Sequence, residues 1–168
     1  MEKKTDAMNT KHHGFTLVEL MITIAIAAIL VTVAVPNFST IIQNNRITAQ
    51  ANDFLTALSI ARSEAVKRGQ RITIASTTNN AAWQSGWTIT DAANNTLYVS
   101  AGFDGNATLT NNSATTPAIV QFSANGFLSV AQPRTFQLRI PGCTGNQARN
   151  ITISPSGRAA VAQVACDA

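Results

Sequence analysis

Few residues in this chain have the types and spacing for chemistry. Cys143 and Cys166 are its two cysteines. No metal-ligand spacing accompanies them, so they point to a disulfide made in an oxidising compartment, with two separate buried thiols as the alternative. Such a bond closes a loop of roughly 24 residues and stabilises by about 3 kcal/mol in the chain-entropy view. Arg134, Arg139, Arg149 and Arg158 fall within 25 residues of the C-terminal quarter, with Asp167 as the nearby acid. Guanidinium groups pair with phosphates as charged forks. Strand alternation can set several of them on one face and give weak, salt-dependent, sequence-independent contact with double-stranded DNA; the alternative is a set of solvated strand-face residues. Glu19 is a lone carboxylate in a long apolar run, a functional residue by default if that run lies in a membrane. His12 and His13 are the only histidines, which deprives nucleophilic triads of their usual members. No glycine-rich phosphate loop is present. Asp91 with Asn94, and Asp104 with Asn106, offer oxygen ligands for calcium, but turn chemistry explains them better. No catalytic residues, metal or cofactor are expected, and the chain reads as a non-enzyme.

The elements around these residues are unequal. The 168 residues allow one sizeable core. Charged residues make up 12% and apolar residues 45%, against about a quarter charged in an ordinary soluble protein. Some surface must therefore face something other than water. The net charge of +4 gives only weak support for nucleic-acid binding by itself. The N-terminal segment 1–14 is polar and carries Lys3, Lys4 and Lys11; Phe15–Val35 then holds a single charge, Glu19. As a helix that run measures about 31 Å, close to the bilayer hydrocarbon thickness. Three explanations fit a basic segment before an apolar run: a secretory signal peptide, for which the run is too long; a plain anchor with lysines held in the cytoplasm; or a leader processed before the run.

The residues favour the third. Gly14-Phe15-Thr16-Leu17-Val18-Glu19-Leu20 resembles the prepilin peptidase site of type IV pilins and pseudopilins. The resemblance implies cleavage after Gly14, N-methylation of Phe15, and prepilin peptidase as the processing enzyme. Cleavage frees an α-amine on Phe15 one helical turn from Glu19. That amine on a neighbouring subunit is the expected partner of Glu19, offsetting its desolvation and setting axial register. Pro36 removes a helix hydrogen bond, and the resemblance implies a bend there. The expected organisation is a cleaved leader at 1–14, the transmembrane half of a long helix at 15–36, its amphipathic half at 37–69 and a periplasmic β-rich head at 70–168.

Past Pro36, Phe38, Ile41, Ile42, Ala51, Leu55, Leu58, Ala61 and Ala65 recur mostly at helical steps, and Arg68-Gly69 supplies the stop. Strands are expected at Arg71–Ile74, Trp87–Thr90, Leu97–Val99, Ile119–Phe122, Phe127–Val130, Thr135–Ile140 and Arg149–Ile153. Asn125-Gly126 marks a hairpin turn, and Ala101–Pro117 reads as a long exposed loop. Trp83 and Trp87 read as core beneath a sheet. The expected fold class is α+β: a long helix packed on an antiparallel head.

Ala61–Gly69, Trp83-Gln84-Ser85-Gly86-Trp87 with Asp91, and Val120-Gln121-Phe122 leading to Asn125-Gly126 resemble, in that order, the GspH/FimT branch of minor pilins and pseudopilins. The resemblance implies a filament subunit, either a minor pilin of a type IV pilus or a pseudopilin of type II secretion. It implies pilin or pseudopilin partners and a single pass through the bacterial inner membrane before assembly. FimT-like members are implicated in DNA uptake and carry Gly-Arg-any-Arg near the C-terminus. Here Gly157-Arg158-Ala159-Ala160 keeps the first arginine and lacks the second.

Overall fold

The computed structural model describes residues 14–78, 82–112 and 119–166. The leader apart from Gly14, with Lys3, Lys4, Lys11, His12 and His13, lies outside the described residues, as does Asp167. The chain divides into two compact units, 1–40 and 41–168.

In the first unit the helix α1, Leu17–Arg68 in full, starts on a side-chain cap. Thr16 Oγ1 accepts the Glu19 amide at 3.2 Å, and the Thr16 carbonyl accepts the Leu20 amide at 3.1 Å. Glu19 is thus in the first turn, where the helix dipole favours a carboxylate. The side chains of 14–32 are all exposed. Among the described residues no helix is long and apolar enough to cross a membrane; the side chains of Val33, Val35, Pro36 and Asn37 fall outside them. The expected bend at Pro36 rests there, though the helical backbone continues through that position.

The second unit holds the core. The buried face of α1 is Ile47, Ala51, Phe54, Leu58, Ala61 and Ala65, stepping by four and three residues as a helix stripe must. Phe38, Ile41 and Ile42 are exposed, and Leu55 is only half-buried, so the stripe begins later than the sequence reading placed it and centres on Phe54. Gly69 ends the helix with a positive φ of 61°. Gln70 N–H reaches the Ala65 carbonyl at 3.3 Å and Gly69 N–H the Val66 carbonyl at 3.4 Å, the pairing that satisfies orphan carbonyls at a glycine stop.

Two four-stranded antiparallel sheets pack on this stripe. One has the order β3-β2-β1-β5, from β1 (Ile72–Ser76), β2 (Trp87–Thr90), β3 (Thr96–Ser100) and β5 (Ile119–Phe122). The other has the order β4-β6-β7-β8, from β4 (Thr108–Asn111), β6 (Arg134–Arg139), β7 (Ala148–Ile153) and β8 (Ala159–Val164). Phe54 meets Trp83, Trp87 and Phe136 edge-on, with ring centroids 5.2–5.6 Å apart, and both tryptophans are core.

Two expectations change, and one strand comes without a sequence signal. The stretch 101–117 contains a strand, β4, because Ala107 and Leu109 alternate into the core. Phe127–Val130 forms no strand; a single bridge pairs Phe122 with Leu128, and the Leu128 amide turns away to the Pro155 carbonyl at 3.0 Å. The alanine-rich segment Ala159–Val164 is a full strand, paired with β7 at six positions.

Cys143 and Cys166 are joined, with Cα atoms 5.8 Å apart and a sequence separation of 23. Cys166 N–H donates to the Gly145 carbonyl at 2.9 Å, so the bond pins the end of β8 to the β6–β7 connection. Reduction is expected to lower stability by about 3 kcal/mol, measured by comparing melts of oxidised and reduced protein. Both thiols should resist alkylation until reduced.

Candidate functional site

Two turns of one design meet at the C-terminal end of α1. In Ser123–Phe127, Ser123 N–H donates to the Phe127 carbonyl at 2.9 Å, Gly126 N–H to the Ser123 carbonyl at 2.8 Å, and Ser123 Oγ to the Phe127 carbonyl at 3.0 Å. In Ser154–Arg158 the same three bonds recur at 2.9, 2.8 and 3.1 Å. Gly126 and Gly157 take φ of 78° and 79°, the left-handed region that glycine enters without strain. The turns touch: a Cβ on Gly157 would fall on the Gly126 carbonyl oxygen. Arg62 Nε donates to that oxygen at 3.1 Å, holding both turns to the helix. The repeated Ser-x-x-Gly pattern is visible in the sequence; Arg62 gives no sequence signal, because its partner is a backbone atom.

Beside the paired turns runs a groove of about 560 Å³. Leu58, Val66 and Ala159 give it an apolar floor, and Arg62, Lys67 and Arg158 line it with positive charge. Among the described residues no carboxylate lines it. Glu64, on the same helix, is engaged by Arg68 Nε at 2.5 Å and Lys67 Nζ at 3.6 Å, and its bond to Arg68 holds its pKa below the usual carboxylate range.

The structure does not bring the four candidate arginines to one face. Arg134 pairs with Ile153, and Arg149 with Leu138. Both therefore point to the core side, one at each end of the β6–β7 pair, and they are 3% and 8% exposed. Arg149 is a structural tie. Its Nη1 donates to the Gln147 and Ala148 carbonyls at 3.0 and 3.1 Å, and its Nη2 to Thr48 Oγ1 on α1 at 3.1 Å. Burial pushes the pKa of both guanidinium groups down, though arginine stays charged. Arg139, an odd number of residues from Arg134, takes the opposite face and is half-buried; Arg158 is exposed. Asp91 uses both carboxylate oxygens in its own turn, accepting from Ala93 N–H at 2.9 Å, Asn95 N–H at 2.8 Å and Asn95 Nδ2 at 2.9 Å. The bond from the Asn95 side chain, first, holds its pKa low.

A long capped helix under two antiparallel sheets is the architecture of a pilin-like filament subunit, and comparison with known proteins agrees. Residues 9–35 match the prokaryotic N-terminal methylation motif, and residues 50–157 match the family described as type II transport protein GspH. The type IV minor pilin FimU of Pseudomonas aeruginosa (strain PAO1) is similar in two crystal forms. In space group P21 it shows 28% identity and a TM-score of 0.62, covering 70% of this chain and 89% of that one. In P65 the identity is 29% and the TM-score 0.59, covering 68% and 91%. The minor pseudopilin EpsH from the Type 2 Secretion System of Vibrio cholerae, at 14% identity and TM-score 0.52 over 70% of this chain and 97% of that one, shares the fold. No curated protein sequence matches. The chain belongs to the GspH family of minor pilins and pseudopilins. These are structural filament subunits, not enzymes.

Proposed function

We propose that the chain is a minor pilin of a type IV pilus, a priming or tip subunit. It is cleaved after Gly14 by prepilin peptidase, N-methylated on Phe15, held by 15–36 in the bacterial inner membrane with its head in the periplasm, and then drawn into the filament. The observation that carries this reading is the likeness to FimU at 28% identity, against 14% for EpsH. Deletion of the gene is expected to abolish surface pili and leave type II secretion intact. Lost secretion with intact pili would instead assign the chain to the secretion pseudopilus. Complementation with Glu19→Ala should restore membrane insertion, since an apolar span loses a charge, but not assembly, since the contact with a neighbour's Phe15 amine is gone. Assembly at normal levels would remove that role from Glu19.

DNA contact stands as a second, weaker reading. Arg134 is buried and Arg149 is engaged in the fold, which leaves Arg158, exposed, and Arg139, half-buried. We expect the chain to bind duplex DNA only at low salt. Arg158→Ala should reduce the slope of log affinity against log salt by about one, and Ala160→Arg should strengthen binding. A polarisation titration across a salt series checks both, and no response to either substitution would leave a purely structural subunit.

A further inference from the structure

We propose that the free edge of β8 and the adjoining groove along α1 form a docking site for an extended acidic segment of a neighbouring filament subunit, added as one more strand. The proposal rests on membership of a filament family, not on which machine the filament serves.

A strand edge exposes unpaired N–H and C=O groups, and proteins usually blunt it with a bulge, a proline, a charge or a cover. Three of the four sheet edges here are blunted. Pairing of β3 with β2 carries a register shift at Ile89/Thr90. The edge of β4 meets the 3-10 turn Trp83–Ser85. Along β5, Leu128 bridges Phe122 and Ser129 N–H donates to the Gln121 carbonyl at 2.9 Å. In contrast β8 is six residues long, regular in its register with β7, and free of charge, proline and glycine from Ala159 to Val164. Among the described residues its outer edge has no strand partner.

The groove begins where β8 begins, at Ala159. A strand added along β8 would drop its helix-facing side chains onto Leu58 and Val66, while backbone bonds supply affinity. The charge identifies the occupant. Arg62, Lys67 and Arg158 line the groove with no carboxylate among its described lining residues; Lys67 is shared with Glu64, so Arg62 and Arg158, where β8 begins, call for an acidic group on the incoming segment. Antiparallel addition puts that group at the segment's C-terminal end. The apolar floor and open strand edge favour a polypeptide over a nucleic acid, which would use the cations and leave both features idle.

The test uses the mature chain in detergent micelles and two synthetic probes, acetyl-Thr-Val-Thr-Val-Thr-Asp-amide and the same peptide ending in Lys. Amide hydrogen exchange is read along β8. The expected result is saturable slowing between Ala160 and Gln163 by the Asp peptide and about tenfold weaker binding of the Lys peptide. Arg158→Glu should reverse that preference while leaving the melt unchanged. Failure of both peptides to slow exchange overturns the proposal. So does an unchanged preference in Arg158→Glu, or displacement of neither peptide's signal from groove residues that a short DNA duplex alone perturbs, which would make the groove a nucleic-acid site.

Discussion

Truncating Phe54 to alanine is expected to remove about 3–5 kcal/mol of stability, a large share of the roughly 5–15 kcal/mol that holds an average domain together. The ring is fully buried and meets Trp83, Trp87 and Phe136 edge-on. Each such aromatic pair is worth about 0.5–1.5 kcal/mol beyond its buried area, and the three contacts bridge helix, 3-10 turn and both sheets. Cavity collapse is hindered because the neighbours are themselves rigid rings. Denaturant unfolding measures the loss. Leu55→Ala, one position along and half-buried, should cost far less. Equal losses would show that the aromatic cluster is not the centre of the core.

Gly157→Ala should cost about 2–5 kcal/mol, summing left-handed backbone strain of about 1–2 kcal/mol and an overpacking penalty of about 1–3 kcal/mol. The new methyl would press on the Gly126 carbonyl oxygen, and backbone yields less readily than a side-chain tip. The turn would have to lift, loosening Arg62 from the same oxygen. A thermal melt reports the loss. Arg158→Ala, next in sequence and exposed, should stay within about 0.5 kcal/mol. The glycine that opens the Gly-Arg motif is thus explained by turn stacking, whatever the arginine binds.

The fold was legible wherever one element announced itself. The glycine stop at 69, the alternation of Thr135–Ile140 and the Trp83–Trp87 pair all behave as their local patterns require. What stayed hidden depended on partners distant in sequence. Segment Ala159–Val164 has weak strand propensity in its alanines and is a strand because β7 lies beside it. β4 is disguised by an Asn- and Thr-rich neighbourhood, with only Ala107 and Leu109 marking its inner face. Parity divides the arginine cluster: Arg134 shares phase with Phe136 and Leu138, and Arg149 with Ile151 and Ile153, so both face the core side. The groove could not be foreseen, since its cations come from a helix and a turn some ninety residues apart in the chain, as Arg62 and Arg158 show.

The bonds between α1 and the rest of its unit carry a mechanical consequence. Thr48 accepts from Arg149, Gln50 Nε2 donates to the Asp104 carbonyl at 2.8 Å, and Arg62 donates to the Gly126 carbonyl. These attachments are spread over about 21 Å of helix and reach strand β7 and two separate loops. A pull along the helix axis would load all three in parallel, as in a riveted lap joint, while a sideways pull would peel them one at a time. The head is therefore expected to resist axial traction far better than lateral prying, the direction of strength a subunit needs when the strand it belongs to is hauled lengthwise.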